Sequence, residues 1–512
     1  MIRITGMNSG MDTDSMVQEL VKAYKKKGEK NVQQKTKAEW KQDIWKDLNK
    51  KIKAFNSKVR SMQYVSNYNL KKTTVSDESK ASVIAGENAV KGTQTLRVDK
   101  LAKTAYVTSK KLVGKDNAKI TEDSTLADLG ITSENSKIYF KQGSKTVEID
   151  ANKDTKISTF VAKLQSSGVD ASFDEANGRI FISAKESGAD NDFSFEVEGK
   201  DAKTDAEKAD NLKAINALGL TTASGATVIA GQNAKIYLNG AEFESNNNSF
   251  NINGMAISVK GETGDEEITL TTDTDIDGIY KNIKDMVKEY SNLINELSKL
   301  YNADRAKGFE PLSDEEKEAL SDDEVEKWET KIKDSLLRRD SNLATIMNTM
   351  RNASIKSYEF TNPDKTKYEM SLADFGIGTM GYFDSEDNEK SALHIDGDED
   401  DDDFASKTNK LKQMLTSDPD KVAKFFASYM TEIADSFNEL TKSSADRSYG
   451  NFYDDKKAKT ELTQYETKVS DWEKYVNDIE DKYYRQFSKM ETQLAKLNST
   501  QTSLSNYFGG GQ

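Results

Sequence analysis

The sequence predicts an α+β multidomain protein in which helices from both ends of the chain bracket a long β-rich excursion. Three observations carry this reading. An apolar residue recurs at every seventh position through residues 462–504, the texture of residues 71–272 changes to short β-branched and aromatic runs, and from Asp273 the three-and-four spacing of a helix returns. At 512 residues the chain is too long for one core, so two to four domains are expected.

The C-terminal stretch is the most informative. Leu462, Val469, Val476, Tyr483, Met490, Leu497 and Leu504 form an unbroken heptad series, joined first by Tyr465, Trp472 and Ile479 and then, one place on, by Phe487, Leu494 and Phe508. That slide is the drift of a helix carrying a seven-residue repeat. No glycine or proline intervenes before Gly509, Gly510 and Gly511, so a continuous helix of about 70 Å is allowed. An amphipathic stripe of this length is marginal alone in water and requires a partner.

At the other end, residues 1–11 read as a polar lead-in. Asp12, Thr13, Asp14 and Ser15 offer caps for a helix that opens with Met16, Val17, Leu20, Val21 and Tyr24. Residues 25–43 are nearly all polar or basic and read as a solvated helix face; the seam then returns as Trp45, Leu48, Ile52, Phe55, Val59 and Met62. The expected assembly seam is Leu462, Val469, Trp472, Val476, Ile479, Tyr483, Phe487, Met490, Leu494, Leu497 and Leu504, with Trp45, Leu48, Ile52 and Phe55 from the N-terminal side.

In the β-rich middle, strands are expected at 95–98, 138–140, 147–149, 178–182 and 193–197. Ile157, Phe160, Val161 and Leu164 have helical spacing, as do Leu212, Ile215 and Leu218 before Gly219. Asn239-Gly240 and Asn253-Gly254 signal hairpins, because both central positions of a type I′ turn need positive φ. The helical pattern resumes with Ile276, Ile279, Ile283, Met286, Tyr290, Leu293, Leu297 and Leu300 and ends near Asn302. Ser313 with Glu316 and Ser321 with Glu324 are spaced as capping boxes. A helix through Val325, Trp328, Ile332 and Leu336 follows, then another through Leu343, Ile346, Met347 and Met350. Residues 355–395 look like an antiparallel strand insertion, and 407–440 is helical with a break at Pro419. Residues 124–131 echo 371–377, which reads as one helix-stop turn used twice.

The chemistry is mostly exclusion. A net charge of -14 argues against nucleic-acid and membrane partners. The chain has no cysteine, hence no disulfide or thiolate centre. The opening residues lack an apolar signal core and no run approaches eighteen apolar residues, so a soluble protein without an ordinary secretory signal is expected. His394 is the only histidine; in the alternating run 392–396 it faces away from Leu393 and Ile395 and is expected on the surface. Gly376, Gly378 and Gly381 match a dinucleotide-loop spacing, but Tyr382, Phe383 and Asp384 follow where a helix would be required. Residues 396–403 carry seven carboxylates in eight positions without the spacing of an EF-hand loop and read as a disordered acidic loop. No enzyme, catalytic residue, metal or cofactor is expected.

Several stretches together resemble the flagellar filament cap protein family, also called hook-associated protein 2. They are Ser9 through Val17 (SGMDTDSMV), Glu39-Trp40-Lys41-Gln42-Asp43 with Asp47-Leu48-Asn49, and residues 233–263 with Leu238-Asn239-Gly240 and Asn253-Gly254. Next come residues 285–297 with Tyr290, Asn292, Leu293 and Ile294, then Leu337-Arg338-Arg339-Asp340, residues 372–377 and 417–422, and 487–508 with Leu497-Asn498-Ser499-Thr500. The resemblance implies terminal coiled-coil helices (1–43 with 466–512) and a helical leg domain (44–78 with 273–465). It also implies a β-rich head domain (79–125 with 225–272) and a distal head domain (126–224). It further implies a non-enzymatic homo-oligomeric cap at the distal end of the bacterial flagellar filament, exported by the flagellar type III apparatus, which promotes folding and incorporation of flagellin and prevents its loss. The implied partners are flagellin and the filament tip, copies of the chain itself, hook–filament junction proteins and an export chaperone at the C-terminal helix. Nucleic acid, membrane and cofactors are not among them. The alternative is a secreted adhesin that binds a host or surface ligand through the β-rich domains.

Overall fold

The computed structural model describes residues 10–199, 203–381 and 383–508. Ser9 of the opening motif and the closing Gly509, Gly510 and Gly511 lie outside them. Ten α-helices occur among the described residues: α1 (Thr13–Ser61), α2 (Ile157–Ser167), α3 (Asp205–Leu218), α4 (Ile276–Asn302), α5 (Asp314–Glu318), α6 (Asp322–Ser335), α7 (Ser341–Ile355), α8 (Lys410–Ser417), α9 (Pro419–Leu440) and α10 (Asp455–Phe508). The chain forms two compact units, one from the segments before Asn69 and after Asp275, the other from Asn69–Asp275.

In the first unit the helix ends follow local chemistry. Asp12 caps α1 by accepting from the Ser15 amide at 3.0 Å, and Ser313 and Ser321 close capping boxes with Glu316 and Glu324. The expected break at Pro419 is present between α8 and α9: Asp418 caps α9 and the proline takes its first turn, where no amide donor is needed. The core gathers on α9, whose Phe425, Phe426 and Phe437 are 1% exposed or less. Phe375 lies 4.6 Å from Phe425, and Phe55 of α1 lies 6.1 Å from Phe437. Trp45, Leu48, Ile52 and Phe55 of the expected seam are buried here, in the chain's own core.

The central part of α1 departs from expectation. Residues 33–42 are half-buried instead of forming a solvated face. The cause is a polar flap from the 303–340 region: Gln33 Nε2 donates to the Pro311 carbonyl at 3.5 Å, Lys37 pairs with Glu310 at 2.5 Å, Lys333 sits 4.6 Å over the Trp40 ring, and Lys41 reaches Asp340 at 3.3 Å. Periodicity scores apolar contact only, so a helix face covered through its polar groups reads as solvent.

The second unit holds two cores. A five-stranded antiparallel sheet runs in the order Lys71–Val75, Ile268–Thr274, Gly92–Lys100, Ala234–Leu238, Ala241–Ser245. It shares a core with the three-stranded sheet Ser249–Ile252, Met255–Val259, Ala81–Ala85. The unit begins at Asn69 rather than after residue 78, because Lys71–Val75 is laddered onto Ile268–Thr274. The other core lies among α2, α3, a four-stranded sheet (Thr227–Ile229, Thr104–Thr108, Arg179–Ser187, Val169–Asp174) and a three-stranded one (Lys145–Asp150, Lys137–Gln142, Phe193–Glu196). Both Asn-Gly hairpins form with the positive φ they require, 50° and 79° at Asn239 and Gly240, 50° and 76° at Asn253 and Gly254. The sequence echo is one device used twice: Thr125 and Ser371 each begin a short 3₁₀ helix with a capping box, and Gly130 and Gly376 end it with φ of 90° and 68°.

Two further expectations are corrected in the first unit. The acidic run is ordered as successive turns, with Asp401 N on Asp398 O at 3.1 Å and Phe404 N on Asp401 O at 2.9 Å. Lys284 of α4 pairs with both Asp398 and Asp400, at 2.6 Å to the latter, and Lys407 with Asp396 at 3.3 Å. His394 is not a free surface group: the loop folds back so that Phe404 stacks on its ring at 4.5 Å and Asp401 meets its Nδ1 at 2.7 Å. Sequence alternation fixed the strand face of His394 but not what folds over it. The glycine spacing at Gly376 likewise sits on a 3₁₀ stop followed by the short strand Ile377–Gly378.

The hydrogen bond from Lys284 holds the Asp400 carboxyl below the usual aspartate range. A carboxyl whose pKa is lower folded than unfolded stabilises above its unfolded pKa and stops doing so as pH falls through the folded one. Amides of residues 396–404 are therefore expected to keep their hydrogen-exchange protection at neutral pH and lose it below about pH 4. Lys284→Ala should produce the same loss at neutral pH. Unchanged protection in that variant would show that the pairing does not hold the loop.

Candidate docking surface

The terminal helix pair is set by its base. Arg447, in the loop after α9, donates to Asp454 Oδ1 from Nε and Nη2 at 3.1 and 2.9 Å and to Asn342 Oδ1 at 2.7 Å. It thereby joins the start of α7 to the residues just before α10. Asn49 of α1, 7% exposed, accepts from the Phe452 amide at 2.9 Å and donates to Asn451 at 3.1 Å. Trp45 stacks on Tyr453 with ring centroids 5.3 Å apart and planes 4° apart. These contacts fix where α10 begins and turn it back along α1.

From that base α10 runs antiparallel to α1, and their mutual core is Val17, Val21 and Val476 with Tyr24, Trp472, Tyr483, Tyr484 and Phe487 packed against it. The tightest approach is at Gly28. A Cβ built there would lie 2.0 Å from Trp472 Cδ1 and 2.2 Å from Nε1, so the indole occupies the space any side chain would need. Its Nε1–H donates to the Tyr24 carbonyl at 3.3 Å. A glycine inside a helix weakens it by about 1 kcal/mol against alanine, and here that loss lets the aromatic ring reach the opposing backbone. Tyr475 packs edge-on to Tyr24 at 6.3 Å, and a hydrogen bond with Tyr24 pushes the Tyr483 hydroxyl above the ordinary tyrosine pKa.

The structure divides the expected seam. Trp45, Leu48, Ile52 and Phe55 are at most 5% exposed and belong to the core of the first unit, while Val476 is 5% exposed between the two helices. Leu462, Val469, Trp472, Ile479, Tyr483, Phe487, Met490 and Leu494 are half-buried. Leu497 and Leu504, at 64% and 51%, stand open. Met16 and Leu20 of α1, at 44% and 43%, add to the apolar surface at this end. Gly28, Asn49 and Arg447 were not singled out by pattern. Gly28 did carry a signal, since an isolated glycine in a helical stretch implies a packing reason; Asn49 entered only as part of a resemblance motif, its partners Asn451 and Phe452 being some 400 positions away, and a lone Arg447 in a polar loop carried no pattern.

Residues 231–499 match the family profile described as flagellar hook-associated protein 2 C-terminus, and residues 9–105 match the N-terminus profile of that family. Flagellar hook-associated protein 2 of Halalkalibacterium halodurans is 23% identical over 573 residues, covering 99% of this chain and 100% of that protein. The A-type flagellar hook-associated protein 2 of Pseudomonas aeruginosa is 24% identical over 403 residues, covering 73% of this chain and 74% of its own. Among solved structures, the D1-D2-D3 domains of the flagellar cap protein from Escherichia coli align with a TM-score of 0.51 and 19% identity, over 83% of this chain and 99% of that one. That likeness is one of fold.

The approach at Gly28 makes a prediction whose sign depends on its partner. Gly28→Ala gains about 1 kcal/mol in helix propensity but forces a methyl group into the indole, with a penalty of about 1–3 kcal/mol. Urea unfolding should therefore show net destabilisation in the native background. With Trp472→Ala in place the clash is gone, and the same Gly28→Ala change should stabilise. Equal effects in both backgrounds would exclude the packing described.

Proposed function

The chain belongs to the flagellar hook-associated protein 2 family, the flagellar cap proteins, and from that premise we propose that copies of it cap the distal end of the flagellar filament. In this reading the terminal helices dock into the filament end, while the residue 69–275 unit shelters exported flagellin as it folds and is added beneath. The role is mechanical rather than catalytic. Export through the flagellar type III apparatus, a chaperone bound to α10 during export and passage over the hook–filament junction proteins complete the proposal. No helix among the described residues is long and apolar enough to cross a membrane.

The observation that supports the docking role most directly is the open end of the seam. The heptad series of α10 continues through Leu497 and Leu504 where these side chains are more than half exposed. Burying a leucine yields about 1.5–3 kcal/mol, so leaving two of them in water on a regular seven-residue spacing is consistent with a surface completed by assembly.

A charge at such a position resists burial. Leu497→Asp is expected to abolish filament-tip docking, so that cells lose motility and shed flagellin into the medium, while circular dichroism and thermal unfolding of the purified variant stay near wild type. Normal swimming in a Leu497→Asp strain that makes wild-type amounts of the protein would remove the seam from the mechanism.

A further inference from the structure

The terminal helix pair carries opposite charge on its two outer sides. Residues 22–30 of α1 hold five lysines (Lys22, Lys25, Lys26, Lys27 and Lys30) and one glutamate, a net +4 in a chain whose total is -14. Residues 471–481 of α10, around Trp472 and Val476 where α10 packs on this part of α1, hold five carboxylates and one lysine, a net -4. Pairing across the two helices would neutralise both segments. Instead Lys25, Lys26, Lys30, Asp471, Glu473, Asp478 and Asp481 are exposed and form no ion pair among the described residues.

Helical geometry explains why. At about 100° per residue, Lys26 and Lys30 lie roughly 160° around α1 from Gly28, and Asp471, Asp478 and Asp481 lie roughly 140–160° around α10 from Val476. Lys26 and Lys30, and Asp471, Asp478 and Asp481, are thus on the backs of their own helices and cannot meet within one chain, whereas Lys25 and Glu473 lie nearer the seam, beside Trp472.

We propose that these faces meet between copies: the basic back of α1 in one copy packs against the acidic back of α10 in the next. The reading rests on the proposed cap. The two faces differ, so the contact is heterologous and head-to-tail, the kind that forms a ring where the rotation between successive copies closes. A two-fold contact through either face alone would set like charges together and is disfavoured. Because these groups are exposed, their attraction sets partner choice, register and association rate more than affinity, and the apolar seam supplies the rest.

Sedimentation of the purified full chain at about 0.1 M and about 1 M salt tests this, since the screening length falls from about 10 Å to about 3 Å between them. Wild type is expected to associate at both salts, but more weakly and more slowly at the higher. Lys26→Glu/Lys30→Glu, and separately Asp471→Lys/Asp478→Lys, should each weaken association at least about tenfold, with unchanged helix content by circular dichroism. The quadruple variant, with both faces reversed, should recover it. Reversed variants that assemble like wild type, a quadruple variant without recovery, or wild type monomeric at both salts would each overturn the pairing. So would a lysine reversal that removes the protein from filament tips but leaves self-association intact, because the basic face would then dock on the filament. The cap reading fails separately, if labelled wild-type protein is absent from filament tips.

Discussion

Everything distinctive about the terminal helices depends on the anchoring of the first turn of α10. Arg447, Asn49 and the Trp45–Tyr453 stack hold residues 451–454 against α1 and α7, and from there the helix has no choice of register. Each residue of slip moves the seam by about 1.5 Å and about 100°. A base displaced by one position would take Trp472 off Gly28 and leave Val476 facing solvent. The clasp joins a buried aromatic stack to polar bonds, and several of its polar groups share partners, so it specifies one geometry rather than simply adding stability.

Along the pair the contact changes character. Near the base it is aromatic and buried; beside residues 33–42 it becomes polar, with a flap contributing carbonyls and carboxylates; at Gly28 it tightens to direct indole-on-backbone packing; beyond Phe487 the seam thins to Met490 and single leucines. Apolar burial supplies most of the free energy of such contacts. The pair is therefore firmest at the base and most available to other surfaces at its far end. Local stability graded in this way is what a segment needs if it must stay attached to its own unit and still complete a surface elsewhere.

Charge follows the same division. The acidic excess of the chain is neutralised locally where it folds back, as when Lys284 and Lys407 pin the 396–403 turns. Charge is left unpaired on the basic back of α1 at Lys26 and Lys30 and on the acidic back of α10 at Asp471, Asp478 and Asp481. Exposed pairs contribute little to stability, so stability gives no reason to satisfy or to avoid them within one chain. Segregated blocks of opposite sign on neighbouring helices do act on association, because fields from exposed charges extend about a screening length.

Local rules written in the sequence determined much of this protein. The heptad of α10, the ends of α4 and α9, the two Asn-Gly hairpins, the repeated 3₁₀ stop and the helix–sheet–helix order each depend on residues within a few positions of one another, so periodicity and turn chemistry suffice to read them. Tertiary structure alone decided the rest. It buried Trp45, Leu48, Ile52 and Phe55 in the chain's own core and left Leu497 and Leu504 open, although all six obey the same spacing. It laddered Lys71–Val75 onto Ile268–Thr274, covered residues 33–42 with a polar flap and folded the acidic run over His394. Most of these outcomes join groups hundreds of positions apart, and even where the partners are near, as His394 with Asp401 and Phe404, a one-dimensional pattern states which face of an element is apolar without stating what comes to cover it.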